Sequence, residues 1–230
     1  MIIEKNKANH LSFILGEKSD GTSPEVQFGM ASLSSELKKY ARGEYVYEIG
    51  EASRYIYLIE SGCVKVAKMS EPGTEVVKSI IGKGHVFGEK ALTGERHRKA
   101  YAQSVADDTT VHVYNVEDVL NNSISDPALN MSILGMFGKK IEMLEKRIES
   151  IISKDSRTRI VEFLRELAEE NGKKVGFETL VKNNYTHKDI ASLTGTSRQT
   201  VTTTLNSLKD QNIINFDRRR ILIRDMDLLK

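Results

Sequence analysis

The 230-residue sequence has no tryptophan, three prolines and a single cysteine, Cys63. One cysteine excludes a disulfide framework within the chain and any four-cysteine iron–sulfur or zinc site. No apolar run approaches the roughly 18 residues that a membrane-spanning helix needs. The amino terminus, MIIEKNKANHL, lacks the long apolar core of a signal peptide, so no membrane partner and a cytoplasmic location are expected. Charge of one sign is scarce too: the net charge is only +2, and any surface for a polyanion must be local. Nucleophile elbow, P-loop and metal-spaced His/Glu cluster are all missing, which argues against an enzyme and against a metal centre. The length suffices for two modest domains, each with its own core.

What is present is organised around Thr186 to Ile214. Thr186 caps a short predicted helix, with Asp189 three residues on closing a capping box. Ile190, Ala191 and Leu193 give that helix an apolar side, and Gly195 supplies the turn of a helix-turn-helix. Ser197 caps the second helix. Val201, Leu205 and Leu208 then fall at i, i+4 and i+7, a stripe that must face a core. The opposite face carries Arg198, Gln199, Thr202, Thr203, Asn206 and Lys209, all able to bond a base edge or a phosphate and none acidic. Thr200 to Thr204 are five β-branched residues in a row, which local propensity would place in a strand. The capped first helix, the glycine turn and the stripe reaching Leu208 argue for a helix, and a local rule broken in a consistent frame suggests a functional surface. Ile213 to Phe216 and Ile221 to Ile223 form a predicted hairpin, with Arg218, Arg219 and Arg220 at or near its tip, placed as a wing to touch phosphates. From His187 to Arg224 seven lysines and arginines stand against three aspartates, a local footprint for nucleic acid.

Upstream, Met1 to about Met30 reads as an extension of mixed polarity, and Ser32 to Tyr40 as a short helix with Leu33 and Leu37 on one face. From Gly43 to about Asn115, short β-rich runs alternate with glycine turns, indicating an antiparallel sandwich or barrel. Val116 to Ser125 is a short helix. Asp126 then caps and Pro127 starts a much longer one. Its Leu134, Phe137, Ile141, Leu144, Ile148 and Ile151 are spaced 3, 4, 3, 4, 3, a heptad seam expected to pair two copies in a parallel homodimer. The competing reading packs this helix only on its own barrel. A dimer would set two recognition helices about 34 Å apart on a palindromic site. Asp155 to Glu170 is a further amphipathic helix, and Gly172 to Lys182 a loop or short hairpin.

Between the strands, Gly88 lets backbone N–H groups approach an anion at the start of a helical turn, Glu89 can accept from a sugar hydroxyl, and Arg98 can clamp a phosphate. A plain Glu89–Arg98 ion pair is the default alternative. The order barrel, long helix, winged helix-turn-helix resembles the family of the bacterial cyclic-AMP receptor protein and the fumarate-nitrate reduction regulator. Phe87-Gly88-Glu89-x-Ala91-Leu92 with Arg98-x-Ala100 resembles that family's phosphate-binding cassette, and Thr196 to Val201 its recognition-helix start.

The resemblance implies an α+β chain in four parts: extension 1–30; antiparallel barrel of the cyclic-nucleotide-binding jelly-roll type, 31–125; dimerisation helix, 126–154; winged helix-turn-helix, 155–230. It implies an allosteric homodimeric regulator, an activator touching RNA polymerase, whose barrel holds a small effector. Gly88, Glu89, Lys90, Ala91, Arg98, Lys99, Leu144 and Glu145 would line the effector site. Thr186, Ser197, Arg198, Gln199, Thr200, Thr202, Thr203, Asn206, Lys209 and the three wing arginines would meet DNA. The chain departs from the cyclic-AMP pattern at Lys99, where a small hydroxyl residue is expected, and at Leu144 and Glu145, where a Thr-Ser pair would meet adenine. Cyclic AMP, another small anion or no effector at all remain open. An oxygen-sensing cluster is excluded for want of cysteines, and a haem would need His85, His97 or Cys63 as axial ligands. The alternative function is a cyclic-nucleotide-binding signalling module without a direct DNA role.

Overall fold

The computed structural model describes Met30 and residues 33–70 and 73–229. The expected extension lies outside the described residues except for Met30, which is buried against the first sheet's core. Eight antiparallel strands come first: β1 (Glu36–Ala41), β2 (Tyr45–Tyr47), β3 (Tyr55–Ser61), β4 (Cys63–Ser70), β5 (Thr74–Gly82), β6 (Val86–Phe87), β7 (Tyr101–Ser104) and β8 (Asp108–Asn115). They form two four-stranded sheets, ordered β1-β8-β3-β6 and β2-β7-β4-β5. The expected barrel is therefore an open jelly-roll sandwich. No ladder joins the two sheets among the described residues. Their facing sides bury Tyr47, Tyr57, Ile59, Val64, Phe87, Ala102 and Val111.

The helix expected over Ser32 to Tyr40 is a strand instead. β1 pairs with β8 from Glu36↔Val113 to Ala41↔Asp108. Leu33 and Leu37, spaced as on a helix face, part company: Leu33 packs into the core and Leu37 is exposed. Pairing along a ready ladder outweighs weak helix propensity, and the lysines at 38 and 39 suit an edge strand.

Helix α1 (Val116–Ser125) is capped by Asn115, and α2 (Pro127–Ser153) by Asp126, whose carboxylate accepts from the N–H groups of Ala128 and Leu129. α2 has two faces. Leu129, Met136 and Met143, seven residues apart, are buried against the chain's own sheets, whereas Leu134, Ile141, Leu144, Ile148 and Ile151 are exposed. Phe137 lies between, partly buried against the first sheet's core.

The C-terminal unit comprises α3 (Ser156–Asn171), β9 (Lys173–Val175), β10 (Glu178–Lys182), α4 (His187–Thr194), α5 (Arg198–Asp210), β11 (Ile214–Phe216) and β12 (Arg220–Ile223). Its sheet runs β11-β12-β10-β9, all antiparallel. Its core, including Ile160, Leu164, Leu167, Ile190, Val201, Leu205 and Leu208, is continuous with Ala67, Val77 and Ile80 of the second N-terminal sheet. Each such aliphatic side chain contributes roughly 1.5–3 kcal/mol, so the unit is docked on β4 and β5 as well as tethered through α2.

Candidate effector cavity and nucleic-acid interface

A cavity of about 310 Å³ opens between the second N-terminal sheet and α2. Val66, Val76, Val77 and Ile81 form its apolar wall, with Tyr47 and Phe87 at its inner end and Met143 and Leu144 from α2 closing it. Lys78, Lys90, Arg98, Lys140 and Arg147 line it, against two carboxylates, Glu89 and Glu95. An excess of cations beside aliphatic side chains suits a small anion with an apolar body.

The cassette is present but its arginine is turned inward. Gly88 sits at φ 75°, and a Cβ there would stand 3.1 Å from Arg98 Nη1. Arg98 is 4% exposed. Its Nη1 donates to Gly88 O at 3.0 Å, its Nη2 donates to Tyr55 O, and the guanidinium lies over the Tyr47 ring at 4.3 Å. Glu89, also buried, pairs with Lys140 of α2, so the Glu89–Arg98 pair weighed from the sequence does not form. Burial pushes the Tyr57 hydroxyl up to about 12 despite Arg98 nearby.

The remaining sequence candidates divide. Lys90 and Leu144 line the cavity. Lys99 lines only a neighbouring open groove, and its backbone N–H donates to Glu95 Oε1 at 3.1 Å. Ala91 faces the first sheet's core. Glu145 is exposed and is not among the residues that line the cavity. Lys78, Lys140 and Arg147 were missed by position-by-position comparison. The α2 pair had a signal: Met136, Lys140, Met143 and Arg147 step by 4, 3 and 4, a second stripe beside the outward seam.

The helix-turn-helix is built as its sequence demands. Thr186 and Asp189 form the full capping box, Gly195 ends α4 in the left-handed region at φ 63°, and Ser197 accepts from the Thr200 N–H to start α5. Val201, Thr204, Leu205 and Leu208 are buried, while Arg198, Gln199, Thr203, Asn206 and Lys209 are exposed on the other face. Four candidates, Thr186, Ser197, Thr200 and Thr202, have their hydroxyls used internally. Thr202 donates to Arg198 O at 3.0 Å and bonds His187 Nδ1 at 2.9 Å, and the Thr200 hydroxyl bonds Ser197 Oγ at 2.8 Å. Burial, then the charge of Arg198, holds His187 below its ordinary value. Thr186 is likewise tied into the capping box. At the wing, Asp217 Oδ1 accepts from the backbone N–H groups of Arg219 and Arg220 at 2.6 and 2.8 Å, which turns the chain and leaves Arg218, Arg219 and Arg220 exposed.

Two arginines join the parts. Arg159 of α3 donates to Thr194 O at 2.7 Å, to Gly195 O at 3.1 Å and to Lys154 O at 2.6 Å, binding the end of α2 to the turn. Arg147 of α2 donates to Lys78 O at 3.3 Å and to Ser192 O of α4 at 2.6 Å. Beside it, Lys65, Glu75 and Tyr101 form a polar cluster that meets Lys188 and Asp189 at the start of α4, at 3.7 Å from Glu75 and 3.9 Å from Lys65.

The sequence matches the Crp-like helix-turn-helix domain over residues 158–230 and the cyclic nucleotide-binding domain over residues 37–121. It is similar to a CRP-like cAMP-activated global transcriptional regulator of Mycobacterium tuberculosis, 27% identical over 204 residues, 87% of this chain and 90% of that protein. The global nitrogen regulator of Synechococcus elongatus is 25% identical, over 86% of this chain and 89% of its own. Among solved structures, FixK2 from Bradyrhizobium japonicum has a TM-score of 0.73 at 22% identity, covering 86% of this chain and 96% of that one. A mutant of CooA from Carboxydothermus hydrogenoformans has a TM-score of 0.70 at 25% identity, covering 94% and 97%.

Proposed function

Because the chain belongs to the CRP/FNR family of transcription regulators, which are not enzymes, we propose that it works as a homodimer on a palindromic DNA site. The observation that carries this reading is α5, whose one face is buried while Arg198, Gln199, Thr203, Asn206 and Lys209 stand exposed on the other. A helix so presented enters a major groove, with the wing arginines on flanking phosphates. Pairing of two copies through Leu134, Ile141, Leu144, Ile148 and Ile151 covers apolar side chains otherwise left in water. The protein acts in the cytoplasm as an activator, through contact with RNA polymerase.

Arg198 reads guanine through its fork, and Gln199 favours adenine. Thr203, which contacts a thymine methyl, leaves half-sites richer in A·T than TGTGA. Selection on random duplexes tests this: an A·T-enriched palindrome is expected, and recovery of TGTGA would refute it. A gel shift that stays blank at every salt and ligand condition would remove the DNA-binding assignment itself.

The cavity between the second sheet and α2 is the effector site, and its cations favour a small anion. Met143 and Leu144 bring no hydroxyl from α2 to a purine, so cyclic AMP is not the favoured ligand.

A further inference from the structure

The cavity has two cationic walls, and they differ in how far their charges are already answered. On the cassette wall, Arg98 is nearly fully buried, donates to two carbonyls and stacks on Tyr47, and Glu89 is matched by Lys140. A ligand arriving there must first break these contacts. On the other wall, Lys78 of β5 has no ion pair among the described residues, and Arg147 meets only the neutral carbonyls of Lys78 and Ser192. Burial, then the neighbouring Lys90 and Lys68 and, less, Lys140, holds the Lys78 ammonium below its ordinary value against the opposing charge of Glu95, and burial alone does the same to Arg147. Half-buried cations held in no ion pair are what an anion stabilises. Between the walls lie the aliphatic side chains of Val66, Val76 and Ile81, an apolar surface for the body of a ligand, with Ser79 the one neutral hydroxyl on β5 beside them.

We propose that this cavity takes an anion with an apolar body, such as a medium-chain carboxylate, whose charged group is received by Lys78 and Arg147 rather than by Arg98, and that binding draws Arg147 off Ser192. The inference rests on the effector reading above and adds the ligand class and its route to DNA. Arg147 of α2 reaches both β5 and α4 by hydrogen bonds. A guanidinium donates more strongly to a carboxylate than to a carbonyl. Occupancy and the α4 contact therefore compete for one group, and the ligand repositions the helix-turn-helix without touching it.

The probe is 8-anilinonaphthalene-1-sulfonate, an aryl anion whose fluorescence rises in an apolar cavity, added to the full-length protein and competed with octanoate or cyclic AMP. Octanoate displacing the probe, with Lys78→Met and Arg147→Gln each weakening the probe at least tenfold and Arg98→Gln changing it less than threefold, is the expected result. Arg98→Lys, which keeps the charge, replaces Arg98→Gln if that variant does not fold. Displacement by cyclic AMP alone, or loss of binding in the Arg98 variant with the other two unchanged, overturns the proposal; so does absence of any saturable probe binding. Octanoate should also shift wild-type affinity for the selected duplex at least fivefold and leave Arg147→Gln unmoved; an equal shift in both removes the Arg147 route. Failure of wild type to bind any duplex would instead strike the underlying regulator reading, so the two failures are separable.

Discussion

Single side chains in this protein do distinct jobs, and substitutions separate them. Arg198 stands exposed at the first position of α5, so Arg198→Ala should cost about 1–3 kcal/mol at the selected site and relax its guanine position. Arg219, on the wing, carries no base information in this reading. Arg219→Ala should weaken all duplexes alike and lower the slope of affinity against salt by about one ion. Fluorescence anisotropy on cognate and scrambled duplexes at three salt concentrations reads both, and identical losses for the two variants would merge roles assigned as separate. Glu166, inside α3, has a different part. Burial, then the charge of Glu162, pushes its carboxyl up to about 7 from 4.5. The fold thus holds more protons than the unfolded chain between these values, and stability falls as pH rises from about 4.5 to 7. Glu166→Gln should therefore raise the melting temperature at pH 8, by at most roughly 3 kcal/mol in stability, and change little at pH 4. A gain that is equal at both pH values would show that its charge is not the cause.

Among the elements, those whose hydrophobic period is strong and whose ends carry caps were legible without a structure. α1, α2, α3 and α5 begin where Asn115, Asp126, Asp155 and Ser197 accept backbone N–H groups, each cap worth about 0.5–2 kcal/mol. β1 was not legible, because its six residues owe their form to β8, some seventy positions away in sequence. The same holds for the cavity. Gly88, Glu89 and Arg98 are recognisable in sequence, but the carbonyls of Gly88 and Tyr55 that occupy Arg98 are backbone groups any residue would supply. The turn between α4 and α5 was legible and has a hidden neighbour. Gly195 lies at φ 63°, and a Cβ there would come 3.2 Å from Ile151 Cδ1. Gly195→Ala should cost about 1–2 kcal/mol from the left-handed backbone and the tight contact together. Thermal melting checks it; an unchanged midpoint would mean the turn relaxes freely.

For the molecule as a whole, α2 is the shared part: one face closes the cavity, another is exposed and apolar, and its last turn touches the turn of the helix-turn-helix. Ile148 is 59% exposed, so Ile148→Glu removes nothing from the core of one chain. It should leave the circular dichroism of the protein intact while sedimentation at micromolar concentration shifts from two subunits to one. Affinity for the palindrome should then fall by roughly a hundredfold or more, since each half-site is bound alone. A variant that still sediments as a dimer would move the interface off this seam. The contact of Ile151 with Gly195, together with the grip of Arg159 on Lys154, Thr194 and Gly195, bears on how this protein can be recombined. A chimera that grafts a foreign reading head after Lys154 would sever this joint, whereas a junction before Ile151 takes both of its sides from one source and leaves only the contacts of Arg147, Lys65 and Glu75 with α4 to be matched.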